Sequence, residues 1–225
     1  MHLHTSSGRI RKKEYYQKTK KMNNFTFIVG AVAAGKSTFM ENRLYNLNQK
    51  ESNFFDHDKT KLMVHLYADD KSKVNDLTLA NALKNAIQDS IKSNKDFMMQ
   101  IHFTNEQLSQ INTYLHRYKN HFDFNAHFIG VADVDILKER ANKRELLGGH
   151  SSEGKSIQKS FDQSFKNFAT YLPKFKTATI WDNTKDFGFQ NMEQQLVFEN
   201  GVLTFQNPNL TEYATSLLNY INSKN

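Results

Sequence analysis

The 225-residue sequence contains no cysteine, which excludes disulfide bonds, thiolate metal sites and cysteine nucleophiles. It has no apolar run close to the roughly 20 residues that a membrane-spanning helix needs, and its polar, basic first residues are unlike a secretory signal. It also lacks an internal repeat and a linker long enough to force two domains. These absences favour a cytoplasmic protein with one domain, and the chain is long enough for that domain to bury a sizeable core.

The net charge of +7 is concentrated in one short segment. Residues 9–21 (RIRKKEYYQKTKK) hold seven basic residues and one acidic residue, whereas the rest of the chain has 23 basic and 22 acidic residues. A basic run can bind nucleic acid or a membrane surface, but a solvated tail is the more common explanation. We therefore expect residues 1–21 to be a flexible tail or a vector-derived or read-through extension, and in the latter case Met22 would be the natural start. For the nearly neutral body we expect neither a membrane nor a nucleic-acid partner.

Apolar runs and amphipathic helical patterns alternate along the chain after Met22. Strands separated by helical crossovers predict a mostly parallel, five-stranded sheet with helices on both faces, which is a three-layer α/β sandwich. Asn200-Gly201 lies between two apolar runs and predicts a small C-terminal hairpin. We expect a single domain over 22–225. The predicted strands are 25–30, 53–58, 96–103, 124–132 and 177–182, the hairpin is 196–205, and the predicted helices are 36–47, 76–93, 104–119, 133–147, 155–170 and 209–222.

One segment has the spacing of a phosphate-binding loop. Residues 30–37, GAVAAGKS, fit G-x-x-x-x-G-K-[ST] and stand between a predicted buried strand and a predicted helix, as this motif requires. Backbone N–H groups of such a loop converge on phosphate oxygens, a lysine adds a positive charge near the β- and γ-phosphates, and the hydroxyl can ligate Mg²⁺. The sequence therefore predicts a site for ATP or GTP with Mg²⁺, and Ser37 is the predicted metal ligand. The predicted nucleotide contacts are Gly30, Ala31, Val32, Ala33, Ala34, Gly35, Lys36, Ser37 and Thr38.

Charged side chains follow two other predicted elements. Asp56 and Asp58 end the second strand, and ligands collect at the carboxyl ends of parallel strands. A carboxylate there can orient an acceptor hydroxyl, take its proton or hold a metal through water, although a charged, helix-capping turn is the alternative. Arg140 and Arg144 share a helix face just before Gly148-Gly149. They either form a lid that neutralises a transferring phosphoryl group or belong to a solvated basic face.

The order of these segments resembles the short bacterial zeta toxin family of P-loop kinases. The segments are GAVAAGKST, FDHD (55–58), RANKRELLGGH (140–150) and WDNT (181–184), and the resemblance covers roughly residues 22–222. The R-x-x-x-R-x-x-x-G-G-H and D-N-[ST] patterns are the more particular ones. The resemblance implies a P-loop kinase-like fold and phosphorylation, from ATP or GTP, of a hydroxyl on a UDP-N-acetyl amino sugar such as UDP-N-acetylglucosamine. It also implies an antitoxin partner.

Roles for individual residues follow from this resemblance. It implies that Lys36 and Ser37 hold phosphates and Mg²⁺, and that Asp58, with Asp56 as second choice, is the base that activates the acceptor. It implies a phosphate-facing lid around 140–160 and a nucleotide contact after the last parallel strand. The implied residues are Arg140, Arg144 and His150 for the lid and Asp182 and Asn183 for the nucleotide contact.

The sequence departs from the family on the acceptor side. Gln100 stands at the end of the third strand, where the family commonly has a glutamate that helps bind substrate, and His102 lies two residues further on. Gln100 keeps hydrogen-bonding capacity without charge, so acid–base or metal duty is not expected there. Lys159-Ser160 stands where the family has a pair of arginines. The predicted substrate contacts are Asp56, Gln100, His102 and His150.

Three classes of function remain open at this point. The leading one is a kinase acting on a small-molecule hydroxyl, whose acceptor can equally be an antibiotic or a nucleoside. A nucleotide-binding module with weak or no transfer, such as a decayed toxin or a regulator, is motivated by Gln100 and Ser160. A nucleic-acid kinase is indicated only by residues 9–21, and the nearly neutral body argues against it.

Overall fold

The computed structural model describes residues 22–46, 53–56, 60, 76–147, 154–185 and 192–224. The predicted tail and residues 148–153 of the predicted lid lie outside these residues. No helix in the described part of the chain has the length and apolar character needed to cross a membrane. The elements are β1 (Asn23–Val29), α1 (Lys36–Asn46), β2 (Asn53–Phe55), α2 (Asp76–Ser93), β3 (Phe97–Ile101), α3 (Leu108–Arg117), β4 (Phe122–Gly130), α4 (Val134–Leu146), α5 (Gly154–Tyr171), β5 (Thr177–Asp182), β6 (Glu193–Glu199), β7 (Val202–Gln206) and α6 (Glu212–Asn222).

The strands form one sheet in the order β2-β3-β1-β4-β5-β6-β7. The first five strands of this order are parallel, which confirms the predicted sheet of five parallel strands. The predicted hairpin is also confirmed, as β6 and β7, but it is not a separate appendage. Strand β6 pairs antiparallel with β5, from Thr177 opposite Glu199 to Asp182 opposite Glu193, so the hairpin extends the sheet on that side.

Strand β1 lies in the middle of the sheet and is buried on both faces. Phe25 and Phe27 belong to a large, aromatic core on one face. Ile28 belongs to a smaller cluster on the other face, where Phe39 of α1 and Leu137 of α4 pack against it. Full burial of each such side chain stabilises the fold by about 1.5–3 kcal/mol. The strand that precedes the phosphate-binding loop is therefore among the best-anchored parts of the molecule.

The register of the parallel strands brings their carboxyl ends to one edge. Val29 lies opposite Ile101 of β3 on one side and opposite Phe128 of β4 on the other. Gly130 of β4 lies opposite Asp182 of β5. Because ligands of parallel sheets collect outside this edge, the segments that follow β1, β3, β4 and β5 can contribute to one site.

Gly130 at the end of β4 leaves room for an aromatic ring of α6. A Cβ at this position would lie 1.9 Å from Cε1 of Tyr213. The Tyr213 ring is buried and stacks on Phe128, with ring centroids 6.2 Å apart. Gly130 therefore sets how closely α6 packs against the sheet.

We expect Gly130→Ala to lower the free energy of unfolding by about 1–3 kcal/mol, because the added methyl group overpacks the site and displaces the Tyr213 ring. Urea denaturation followed by fluorescence of Trp181, the single tryptophan, measures this change. In a Tyr213→Leu background the same substitution should cost clearly less. An equal cost in both backgrounds would contradict this explanation.

Candidate nucleotide-binding site

The predicted phosphate-binding loop links β1 to α1, the strand–helix context that its motif requires. Gly35 has a φ of +97°, and a Cβ there would lie 2.5 Å from the Asn183 amide nitrogen. Gly30, at φ +150°, would place a Cβ 2.5 Å from the carbonyl oxygen of Ile129. Both glycines are therefore needed for backbone conformation and for close approach of neighbouring groups.

Lys36 is buried, and its ammonium group lies inside the loop. Nζ donates to the carbonyl oxygens of Gly30 at 2.9 Å and Ala31 at 2.7 Å, and it lies 3.0 Å from Nδ1 of His102. An ammonium group has three donors and no acceptor, so Nδ1 of His102 accepts in this contact. The structure thus brings His102, predicted to contact substrate, to the loop lysine. A triphosphate would offer Lys36 charged oxygens in exchange for these neutral carbonyls.

Three oxygen-bearing side chains meet at the start of α1. The Ser37 hydroxyl donates to Oε1 of Gln100 at 2.9 Å and lies 3.4 Å from Oδ2 of the buried Asp56. Hydroxyl, amide and carboxylate oxygens are suitable ligands for Mg²⁺, so these residues fit the implied metal. This includes Gln100, for which the sequence predicted no metal role. Within the described ranges, no three His, Cys, Asp or Glu side chains form a metal site alone. A cation here would therefore need phosphate oxygens and water to complete its coordination.

The D-N-T segment after β5 fastens the loop to the sheet. The Asn183 amide donates to the carbonyl oxygen of Ala34 at 2.9 Å, and its backbone N–H donates to Gly130 at 2.8 Å. The Thr184 hydroxyl accepts from the backbone N–H of Ala132 at 2.9 Å. Asn183 was predicted to lie near the nucleotide, and the structure brings it into direct contact with the phosphate-binding loop.

Arg140 and Arg144 have different surroundings although they lie one helical turn apart. Arg140 is buried, and its Nη2 donates to the carbonyl oxygen of Asn183 at 2.7 Å and lies 3.4 Å from that of Thr184. Arg144 is exposed. Both arginines were predicted to belong to a phosphate-facing lid, and the sequence left open which of them contacts the transferring phosphate. In the structure Arg140 supports the D-N-T segment, whereas a phosphate-facing role for Arg144 stays a prediction.

Lys159 and Ser160 contact two different elements. The Ser160 hydroxyl accepts from the backbone N–H of Val32 at 3.0 Å and donates to the Ile157 carbonyl at 3.0 Å. Lys159 instead pairs with Glu106, and this hydrogen bond lowers the pKa of Glu106 to about 2. Sequence reasoning missed the contact of Ser160 with the loop. The available signal was its polar side chain beside the apolar stripe of its helix.

Two predicted site residues lie outside the described residues. They are Asp58, the predicted base, and His150, the predicted lid residue. Their roles therefore stay predictions. The described site residues form two groups. The first lies at the loop and consists of Lys36, Ser37, Asp56, Gln100 and His102. The second lies behind the loop and consists of Arg140 and Asn183.

Solved structures with similar folds include three from different systems. A chain of the Pnkp1/Rnl/Hen1 RNA repair complex has a TM-score of 0.54 and 20% identity over 68% of this chain, which is 48% of that chain. A chain of the PezAT chromosomal toxin–antitoxin system of Streptococcus pneumoniae has a TM-score of 0.55 and 12% identity over 89% of this chain and 80% of that chain. A chain of the AvrRxo1-ORF1:-ORF2 complex with ATP has a TM-score of 0.53 and 10% identity over 89% of this chain and 63% of that chain.

No protein-family model matches the chain, and no curated protein matches its sequence. The structural likenesses, at identities of 20% or less, show the fold. They confirm the predicted P-loop kinase-like α/β class. The predicted resemblance to zeta toxins is confirmed at the level of the fold, since a chain of the PezAT toxin–antitoxin system matches over most of both chains.

We expect Arg140→Met and Asn183→Ala each to weaken nucleotide binding by about 1–2 kcal/mol, roughly 5- to 30-fold, because each removes one link between α4 and the loop. Fluorescence titration with a labelled ATP analogue measures the dissociation constant. Since the two links act in series, the double variant should be little worse than the poorer single variant.

The matched control is Lys143→Gln, which breaks an exposed ion pair with Glu139 and should leave the dissociation constant within about twofold. Fully additive losses in the double variant would show that Arg140 does not act through Asn183.

Proposed function

We propose that the protein is a Mg²⁺-dependent phosphotransferase that moves the γ-phosphoryl group of ATP or GTP to a hydroxyl group of a small molecule. The observation that carries this proposal is a formed phosphate-binding loop at the carboxyl edge of the sheet, which holds the Lys36 ammonium and places the Ser37 hydroxyl beside Asp56. A kinase needs little covalent chemistry from its protein, so catalysis consists of positioning and charge neutralisation.

On the donor side, the loop and the N-terminus of α1 would hold the phosphates through backbone N–H groups. Lys36 would transfer its hydrogen bonds from the loop carbonyls to the β- and γ-phosphates. When bound, Mg²⁺ would offset the negative charge of the phosphates. Ser37, Gln100 and Asp56 are the described side chains that would support this cation.

On the acceptor side, Asp58 is the proposed base that accepts the proton of the attacking hydroxyl. Asp56 is already beside Ser37, which favours a metal-side role for it and leaves the base to the second carboxylate of the pair. Arg144 and His150 are proposed to neutralise the transferring phosphoryl group from the lid. The exposure of Arg144 supports this division, since the buried Arg140 is committed to backbone carbonyls.

A UDP-N-acetyl amino sugar such as UDP-N-acetylglucosamine is the proposed acceptor, with an antitoxin as protein partner in the cytoplasm. The R-x-x-x-R-x-x-x-G-G-H and D-N-T patterns support this choice, and so does the fold shared with the PezAT toxin–antitoxin system. ATP is the first donor to test, because a similarly folded complex was solved with ATP.

A nucleotide-binding module with little transfer is the second candidate. The contacts of Lys159 and Ser160 favour it, because this pair places no arginine at the loop and one of its members is paired with Glu106. Loss of an arginine facing the γ-phosphate is worth several kcal/mol of transition-state stabilisation in other phosphotransferases.

We expect labelled phosphate to pass from ATP to UDP-N-acetylglucosamine in the presence of Mg²⁺, and Lys36→Ala to lower the rate by about 100-fold or more. Other hydroxyl acceptors, including nucleosides and aminoglycoside antibiotics, are tested beside it. Labelling of one of these instead would retain the kinase and reject the UDP-sugar. ATP binding without transfer to any acceptor would favour the binding module.

The two aspartates should respond differently to substitution. We expect Asp58→Asn to lower kcat by about 100- to 10,000-fold with an unchanged Mg²⁺ requirement, because it removes the base. Asp56→Asn should mainly raise the Mg²⁺ concentration needed for half-maximal rate, because it removes a carboxylate beside Ser37. Titration of the rate with Mg²⁺ separates the two effects, and the reverse pattern would exchange the two roles.

A further inference from the structure

Charged side chains are distributed unevenly between the two edges of the sheet. The segments that lead into β3, β4 and β5 are residues 92–96, 117–121 and 172–176, and together they hold six lysines and arginines and one acidic residue. The segments that follow β3 and β4, residues 102–107 and 131–135, hold three acidic residues and no lysine or arginine. The nearly neutral sum of the body therefore conceals a basic edge.

The register of the strands brings these basic segments together. Asn23 at the start of β1 lies opposite Phe122 of β4, and the backbone N–H of Lys176 donates to the carbonyl oxygen of Phe124 at 2.7 Å. The backbone N–H of Asn200, in the turn between β6 and β7, donates to the carbonyl oxygen of Lys176 at 2.9 Å. The starts of the parallel strands and this turn therefore share one edge, opposite the phosphate-binding loop. We call this surface the amino edge, and it consists of residues 22–24, 92–96, 117–121, 172–176 and 200–203.

Several positive charges of the amino edge are accessible to a partner. Lys92, Arg117 and Lys119 are exposed, and within the described ranges none of them forms an ion pair. Lys176 pairs with Asp123 at 2.6 Å, yet its side chain remains 57% exposed. Basic side chains gathered on one surface repel one another, and a partner of negative charge relieves that repulsion.

The most basic segment of the chain is joined to the same edge. Residues 9–21 hold seven basic residues and one acidic residue, and Met22 connects them to the start of β1. Because the segment is joined there, its charge adds to that of the amino edge in attracting an anionic partner.

Exposed apolar side chains accompany these charges. Beyond the hairpin turn, Val202 is 66% exposed and Leu203 is 37% exposed, and Met22 is 36% exposed. A Cβ at Gly201 would lie 3.3 Å from Cα of Pro173, so the turn packs on the basic segment that leads into β5. Aliphatic side chains beside lysines and arginines are the combination that binds the interfacial region of an anionic bilayer.

The aromatic side chains of the amino edge favour a bilayer over nucleic acid. Tyr118 is 6% exposed and Phe175 is 1% exposed. The bases of a single strand stack on exposed rings, and the described residues of the amino edge offer no exposed phenylalanine, tyrosine or tryptophan. Aliphatic side chains gain nothing from a phosphate backbone, whereas they lose contact with water on entering a lipid interface.

We propose that the amino edge is a docking surface for an anionic lipid bilayer, in which its lysines and arginines contact the headgroups and Val202 and Leu203 enter the interfacial region. The bilayer contact does not require the proposed transferase activity. The phosphate-binding loop lies at the opposite edge of the sheet, so it would face away from the bilayer and stay open to solution.

The test is co-sedimentation of the full chain with phosphatidylcholine vesicles that contain about 30% phosphatidylglycerol, compared with vesicles of phosphatidylcholine alone. We expect partition onto the anionic vesicles to be at least about tenfold stronger, and to be lost at about 0.5 M salt because the charges are screened. Arg117→Gln combined with Lys119→Gln should weaken partition by about 10-fold or more, because each lost charge lowers the attraction to the headgroups.

The apolar contribution has a test of its own. Val202→Thr combined with Leu203→Thr should weaken partition by about threefold or more, because less apolar area enters the interface. Threonine suits an exposed strand, so this variant should fold. Unchanged partition of this variant would leave a purely electrostatic contact and overturn the proposed insertion.

The matched control is Lys138→Gln combined with Lys143→Gln, which removes two charges from α4 beyond the other edge of the sheet. It has the same net charge as the Arg117 and Lys119 variant and should leave partition within about twofold, because charges further than a Debye length from the bilayer contribute little. Equal losses in the two variants would show that net charge alone drives binding. Unchanged partition after the Arg117 and Lys119 substitutions would assign binding to residues 9–21 alone. Either result overturns the proposal, as does equal partition onto neutral vesicles.

Nucleic acid is tested in parallel with a labelled single-stranded RNA. RNA that displaces the chain from the vesicles, and whose binding depends on Arg117 and Lys119 but not on Val202 and Leu203, would assign the amino edge to nucleic acid instead. We expect the RNA to compete only weakly at the salt concentration where vesicle binding is measured.

Discussion

The bond from the Asn183 amide to the carbonyl oxygen of Ala34 links the phosphate-binding loop to the rest of the molecule. It forms only because Asn183 is fixed at its backbone, where its N–H donates to Gly130 and its carbonyl accepts from Arg140. It also requires that residue 35 carry no side chain, since a Cβ would lie 2.5 Å from the amide. The loop conformation therefore depends on three separate elements, β4, β5 and α4, in addition to its own glycines.

The same arrangement explains how the loop lysine can be buried. The Lys36 ammonium contacts two loop carbonyls and His102, which gives each of its three N–H donors a partner. Neutral carbonyls are weaker partners for an ammonium group than charged phosphate oxygens. The lysine is thus held near its working position by contacts that a triphosphate can replace. This pre-positioning lowers the side-chain entropy lost on binding.

Sequence reasoning was most successful where local signals are strong. The apolar run ending at Gly30 and the spacing from there to Ser37 predicted a buried strand, a loop and a helix, because each signal lies within a few residues. Pairings between distant segments carry no such signal. The hairpin at Asn200-Gly201 was predicted, but its pairing with β5 was not. That pairing depends on which edge of the parallel sheet is open to a further strand, and local sequence does not show this.

Side-chain partners were harder to predict than elements. Helical spacing correctly put Arg140 and Arg144 on one face, yet it could not show that only Arg140 reaches the backbone of Asn183. Ser160 was recognised as a departure from an expected arginine, but its bond to Val32 depends on how α5 crosses the loop. Such contacts arise from three-dimensional proximity, which one sequence does not encode locally.

The neutral residue at the end of β3 has consequences for the acceptor side. Gln100 accepts the Ser37 hydrogen bond, a task that a carboxylate would also perform, but it brings no negative charge. Two charges about 5 Å apart interact by roughly 3 kcal/mol at an effective dielectric constant of 20, so one carboxylate fewer weakens the hold on a cation noticeably. Among the described residues, Asp56 supplies the carboxylate charge beside Ser37. The phosphates of a bound nucleotide would supply most of the remaining negative charge that a cation needs. The proposed Mg²⁺ would therefore bind together with the nucleotide or after it. If the proposed acceptor binds beside Gln100 and His102, the amide and the imidazole suit an uncharged hydroxyl-bearing group better than a cationic one.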